Sequence, residues 1–292
     1  MADVSVVIAS QQGGALLLDT VGAFVDAAPE AEIIVVECAA DESGAGVGAR
    51  WPAVHLIHLD APQTVPLLRA AGFRAATAPV VAMTSEGCAP APGWFTALRR
   101  AHANGADGVG GALELGSAGG LIDWAVFFCE YGRYMTPLPA EPRWDLPGHN
   151  VSYSRAALAA IDDLVARGTW EPLWHWRLAD RGARLVRDGS ILVRLQKRYT
   201  LAGFVRERFA YGRSFAAQRM DGASAARRAL FAIGCAVLPV VVLARILGGV
   251  LPKRRHLPQL LLSFPYLVIF ACVWAAGEAA GYAAGPGRAN RG

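Results

Sequence analysis

The chain has 292 residues, enough for one large domain or two small ones, and its 54% apolar content and positive mean hydropathy are high for a purely soluble protein. Five scattered cysteines (Cys38, Cys88, Cys129, Cys235 and Cys272) make neither a disulfide framework nor a zinc knuckle and suit a reducing compartment. The net charge of +4 hides a division: residues 1–176 carry 9 Lys and Arg against 19 Asp and Glu, whereas residues 177–292 carry 19 against 5, so the back half suits an anionic surface, and its apolar runs favour lipid over nucleic acid.

The start, Met1-Ala2-Asp3-Val4, has no basic region followed by an apolar core, so no signal peptide is expected. Val4–Ser10 is rich in β-branched residues and predicts a strand. Residues 15–27 place Leu16, Leu17, Val21, Phe24 and Val25 on one helical face, and Pro29 ends that helix. Glu32–Glu37 and Val54–Leu59 read as further strands, residues 62–77 as a helix, and Val80–Met83 as a fourth strand. Strands that are apolar throughout have both sheet faces covered by helices, and their alternation with helices argues a mostly parallel α/β sheet.

In such a sheet, ligands bind beyond the carboxyl ends of the strands. Thr84–Cys88 lie at one such end, before Pro90, Pro92 and a helix from Trp94. No G-x-G-x-x-G follows the first strand and no P-loop is present, so dinucleotide-dependent dehydrogenases and P-loop NTPases drop out. Glu37 ends the second strand, with Asp41 and Glu42 just after; such an acid either accepts hydrogen bonds from a nucleobase or ribose, or is a solvated loop acid.

Further along, residues 106–114 form a glycine-loosened strand and 121–134 an aromatic helix, either core or the lip of a greasy acceptor site. Residues 136–147 are a proline-rich loop. Leu146–Arg155 leads into a helix at 156–164; there His149 and Asn150 either bond sugar hydroxyls or satisfy turn backbone. Gly168–Gly182 holds Glu171 among Trp170, Trp174 and Trp176. An acid so placed is either a helix-start residue or a proton acceptor beside stacking aromatic faces.

Val4–Ser10, Glu32–Glu37 with Asp41, Leu67–Ala76 and Val80–Trp94 follow one another in an order that resembles family-2 glycosyltransferases of the GT-A fold, over roughly residues 3–190. The resemblance implies an α/β GT-A domain with a mixed, mostly parallel sheet flanked by helices, transferring a hexose-like sugar from a nucleotide-diphosphate sugar. It implies donor binding by Ser10, Glu37 (base), Arg69 (nucleotide-facing helix), Ser85 and Glu86. Ser85-Glu86-Gly87 falls on the family's D-x-D and keeps only the central acid, so the implied divalent metal (Mg or Mn) has Glu86 alone. Either other groups complete that site, or cationic side chains neutralise the diphosphate. His149, Asn150, Trp170 and Trp174 are implied acceptor or sugar contacts. Residues 168–182 resemble the family's E-D-x-x-L-x-x-R-L-x-x-x-G, with Glu171 on its second acid, the general base, and Trp170 where the first acid stands.

Residues 201–228 form a basic neck without the Q-x-x-R-W of processive relatives. Ala229–Leu251 and Leu260–Gly277 are apolar enough to cross a bilayer, with Lys253-Arg254-Arg255-His256 between them. A spanning hairpin with the catalytic domain in the cytoplasm puts that basic turn outside, against the positive-inside rule, unless the more numerous upstream arginines dominate; a re-entrant or interfacial pair also fits, and a buried globular helix pair is the plain alternative. The expected organisation is a catalytic domain over 1–200, the neck over 201–228, two membrane helices over 229–284 and a tail over 285–292. The expected activity is transfer of one sugar to a lipid-linked, polysaccharide or other cell-envelope acceptor at the cytoplasmic face of the membrane. The alternative is a sugar-nucleotide-binding or scaffold protein with little turnover.

Overall fold

The structure is a computed structural model that describes residues 2–39, 43–116, 119–142 and 145–284. Asp41, Glu42 and the tail over 285–292 lie outside the described residues. The chain folds as two units: Met1–Ser117 with Thr136–Lys197, and Ala118–Met135 with Arg198–Gly292. Residues 118–135, expected inside the catalytic domain, thus belong with the C-terminal helices.

In the first unit, β1 (Val4–Ser10), β2 (Glu32–Glu37), β3 (His55–His58) and β4 (Val80–Ser85) alternate with α1 (Gly14–Ala27), α2 (Ser43–Arg50) and α3 (Val65–Ala75). After β5 (Cys88–Pro90), α4 (Trp94–Ala103) and β6 (Gly108–Leu115), the chain visits the second unit as α5 (Leu121–Glu130). It returns through β7 (Glu141–Pro142), β8 (Val151–Ser154), α6 (Arg155–Ala159), α7 (Asp162–Ala166), α8 (Glu171–Asp180) and β9 (Leu185–Leu195). The sheet runs β3-β2-β1-β4-β8-β6-β9-β5, with β7 also on β9.

β1 to β4 are mutually parallel, as the apolar runs of β1, β2 and β4 imply; β3 is an edge strand with exposed His55 and His58 at its ends. Every residue of β1 is buried, and Val7, Ile34, Leu68, Phe73 and Trp174 share one core. The parallel register pairs Ser10 with Glu37 and Ala9 with Ser85, so the polar ends of three strands finish on one rim. β8 enters antiparallel between β4 and β6, which makes the sheet mixed.

Several elements were not expected, α2, β8 and β9 among them. Gly-rich α2 has weak helical propensity and shows no clear apolar face in the sequence. β8 has four residues, too few for a period to declare itself. β9 falls inside the arginine-rich stretch, where its alternation of Leu185, Ile191, Val193 and Leu195 is broken by Asp188-Gly189-Ser190; there its pairing to β6 shifts register.

The second unit adds α9 (Leu201–Arg219), α10 (Ala225–Gly234), α11 (Leu238–Val250) and α12 (Leu257–Ala284) to α5. Among the described residues, α12 is the one helix long and apolar enough to cross a membrane; α10 with α11 passes only if taken together across a 61° bend. The expected 23-residue run is therefore broken, next to Pro239, which sits in the first turn of α11.

Candidate active site

The rim at the carboxyl ends of β1, β2 and β4 gathers most of the expected site residues. Arg69, on α3, is almost fully buried. Its Nη1 donates to Oε1 of Glu171 in a close ion pair. Its Nη2 donates to the Gly148 carbonyl at 2.8 Å and to Ser85 Oγ at 3.3 Å. One guanidinium thus ties together α3, the end of β4, the loop before β8 and the first turn of α8. A planar fork with several fixed donors suits this role, and lysine would not replace it.

Glu171 is the first residue of α8 and only 7% exposed. Gly148 allows its approach: a Cβ there would lie 3.2 Å from Glu171 Cδ and 3.4 Å from Arg69 Nη1. His149 follows, and Thr84 Oγ1 donates to its carbonyl at 3.0 Å. Burial, with the Arg69 and Lys197 cations nearby, pushes the His149 imidazole down to about 3. The ring is therefore neutral at pH 7 and offers one donor and one acceptor nitrogen.

Glu86 is committed to the protein itself. Its Oε2 accepts from Ser10 Oγ and from the backbone N–H groups of Gln12 and Gly13, both at 3.1 Å. Its Oε1 faces Lys197 Nζ at 3.9 Å. The carboxylate therefore closes the β1–α1 turn, and Ser10 is its partner there. A hard cation needs several oxygen ligands, and no group of three or more His, Cys, Asp or Glu among the described residues could hold one. These residues do not fit the implied metal.

Glu37, also buried, accepts from the Ala39 N–H at 2.9 Å and meets Nδ1 of His58 at 2.6 Å. Hydrogen bonding to Glu37, and then its charge, raise the His58 imidazole above its ordinary value. The raised value makes protonated His58 favour the folded state below about pH 6.5, its value in an unfolded chain, and that contribution is lost as pH rises through the folded value. NMR titration is expected to place the His58 midpoint above 6.5, and Glu37→Gln to return it to that range. An unchanged midpoint in the variant would break the assignment.

Two expected sugar contacts have scaffold positions. The Asn150 side chain accepts from Trp94 Nε1 at 3.0 Å and donates to the carbonyls of Ala112 and Ile191, both at 2.8 Å. It is 2% exposed and pins α4, β6 and β9 together. Trp174 has no exposed surface. Its ring packs on Phe73 and Tyr153, and Nε1 donates to Thr169 Oγ1 at 2.9 Å. The expectation of a stacking face at Trp174 is corrected: helical periodicity turns this tryptophan into the core. Trp170 caps α8 and is half-buried beside Glu171.

Lys197 was missed. It follows β9, and β9 itself was hidden in the basic stretch. A recess of about 540 Å³ lies at the other, amino-terminal end of β1 and β4, lined by Val4, Val80, Arg99 and His102 among others, and contains none of these site residues.

No protein-family profile matches the chain, and no curated protein sequence does. Solved structures match its fold. The fold is shared with S. aureus TarS. The TM-score is 0.51 at 13% identity, over 73% of this chain. The chain spans 39% of the TarS chain that it matches. Together with the mixed sheet, this likeness supports a GT-A-like fold.

Proposed function

We propose that the chain is a glycosyltransferase that moves a sugar from a nucleotide-diphosphate sugar to an acceptor hydroxyl, at the cytoplasmic face of a membrane and on a lipid-linked or envelope acceptor. The observation that carries this reading is the Glu171–Arg69 pair on the strand-end rim. TarS, a family-2 glycosyltransferase, is consistent with it through the fold. In the proposed step the acceptor oxygen attacks the anomeric carbon, and Glu171 takes its proton. The bond from that carbon to the diphosphate oxygen breaks, and the electron pair leaves with the diphosphate. Arg69 and Lys197 offset the charge that develops there. Ser85 and neutral His149 supply hydrogen bonds beside it, and Glu37 with His58 lies at the base-binding end. Trp170 offers a half-buried aromatic face to the sugar.

Cations that take the place of a metal predict a specific result. Calorimetric titration with nucleotide-diphosphate sugars should show donor binding that survives a chelator, and Lys197→Met should weaken it about tenfold or more. Loss of binding on chelation alone would mean that donor phosphates and further protein groups build a metal site with Glu86.

A second reading, a sugar-nucleotide-binding protein with little turnover, is favoured by one observation: Glu86 is consumed by the β1–α1 turn. Donor turnover with a panel of acceptors separates the two, because a binding protein would show affinity without product.

A further inference from the structure

The membrane attachment in that proposal has a geometry that can be read from the second unit by itself. α9 and α12 run parallel, side by side. Phe204 meets Phe270 at 4.6 Å, the Arg208 guanidinium lies 4.1 Å from the centre of the Trp274 ring, and Ala216 and Met220 cluster with Tyr282. Gly277 and Gly281 bring the backbones into contact: a Cβ at either would lie 2.4 Å from the Phe209 carbonyl oxygen or 2.3 Å from that of Arg213. Small residues four apart are the usual means of such close helix approach. The partner helix is strongly charged, with Arg206, Glu207, Arg208, Arg213 and Arg219 in its 19 residues.

The helix that could cross a bilayer is thus fixed along its carboxyl-terminal half to one that could not. Charges at the centre of a bilayer are costly, and Arg208 is engaged with Glu130 of α5 rather than with lipid. The turn after α11 comes back to the α5 segment. Lys253 Nζ donates to the Met135 carbonyl, the His256 ring lies 4.6 Å from that of Trp124, and a Cβ on Gly249 would touch Arg133.

The outer faces of α10, α11 and α12 are apolar. Ile233, Val240 and Leu261 are 74%, 69% and 75% exposed, with Leu230, Val237 and Leu262 beside them in sequence. Exposed Arg227 precedes Leu230 by three residues, and exposed Arg254 lies between Leu251 and Leu257. An apolar face edged by arginines is complementary to the headgroup and upper acyl region of an anionic leaflet.

We infer that α10–α12 form a monotopic module that lies in one leaflet of an anionic bilayer, with the Lys253–His256 turn and both chain termini on one side. This inference rests on the membrane part of the proposed function and not on the chemistry. The test uses full-length protein, tagged at both termini, in inside-out and right-side-out vesicles from expressing cells. Trypsin should reach both tags and the native Arg254–Arg255 bond in inside-out vesicles and none of the three in right-side-out ones. Protection of the turn with both tags accessible would reveal a spanning hairpin; protection of the C-terminal tag alone, a single span. Either overturns the inference.

Binding to phosphatidylcholine vesicles with and without phosphatidylglycerol supplies a second measurement. The double variant R227Q/R254Q should bind the anionic vesicles about tenfold or more weakly, and the neutral ones as the parent does. Full-length protein that binds neither vesicle would overturn both this inference and the membrane attachment. Sugar transfer to a soluble acceptor would still stand or fall separately.

Discussion

Glu171→Gln should lower sugar transfer by ~10²–10⁴, the usual worth of a general base. A glutamine keeps the size of the side chain and a carbonyl oxygen for Arg69, but it cannot take the acceptor proton. A helix-start acid alone would contribute only ~0.3–1 kcal/mol, so the sequence leads one to expect an intact fold. The ion pair changes that expectation. Arg69 is buried, and removing its counter-charge leaves a buried cation uncompensated, which typically costs ~3–5 kcal/mol. Thermal unfolding should therefore shift together with activity, and donor affinity should fall as well because Arg69 serves both ends of the site. The double variant Arg69→Met with Glu171→Leu separates the effects. Replacing a buried pair by apolar groups of similar size is often neutral, so stability should return while transfer stays lost. A folded Glu171→Gln protein with the parent rate would remove Glu171 as the base. A double variant no more stable than the single one would mean that the pair is not what the single substitution disturbs.

The second large effect is expected at Asn150. Asn150→Ala removes the partner of Trp94 Nε1 and the donor to two buried carbonyls, those of Ala112 and Ile191. Each buried group so deprived costs ~1–3 kcal/mol, or roughly 3–9 kcal/mol for the three. At roughly 2–4 °C per kcal/mol for a large domain, Tm should fall by roughly 6–36 °C. His149→Ala, one residue away, keeps the backbone carbonyl that accepts from Thr84, so it should lower Tm less than Asn150→Ala does and raise the KM for donor or acceptor. The contrast between neighbours is the informative result. If Asn150→Ala kept the parent Tm and changed only KM, the amide would be a substrate contact and the scaffold role would be wrong.

The two variants show where sequence reasoning reaches. Three of the four parallel strands share one legible signal, because a strand buried on both faces is apolar along its interior, and Val4–Ser10, Glu32–Glu37 and Val80–Met83 are. Once they are parallel, their carboxyl ends share a rim, and Ser10, Glu37 and Ser85 follow from their places at strand ends. The partners of these residues were not legible, because hydrogen bonds join residues far apart in the chain. Glu86 reads as the remnant of a metal motif until its oxygens are found on the β1–α1 turn, 73 and 74 residues away in sequence from Gly13 and Gln12. Glu171 and Arg69 are 102 residues apart, and nothing local to either announces the other. Trp174 and Asn150 are residue types that serve equally as ligand contacts and as core, and only burial separates the two uses.

The same limit governs the carboxyl-terminal helices. Hydropathy alone identifies α12 as a possible span, because composition and length are local properties. Whether it could leave its neighbours is a question of packing. Gly277 and Gly281 are ordinary small residues in the sequence; in the fold they set α12 against the backbone of a helix rich in arginine. The apolar strands, the rim they share and the apolar tail can be read along the chain, since each depends on residues close together in it. Which rim acids are already engaged, which aromatic residues are core, and which helix the apolar tail must carry with it emerge only on folding, because each depends on contacts between distant segments.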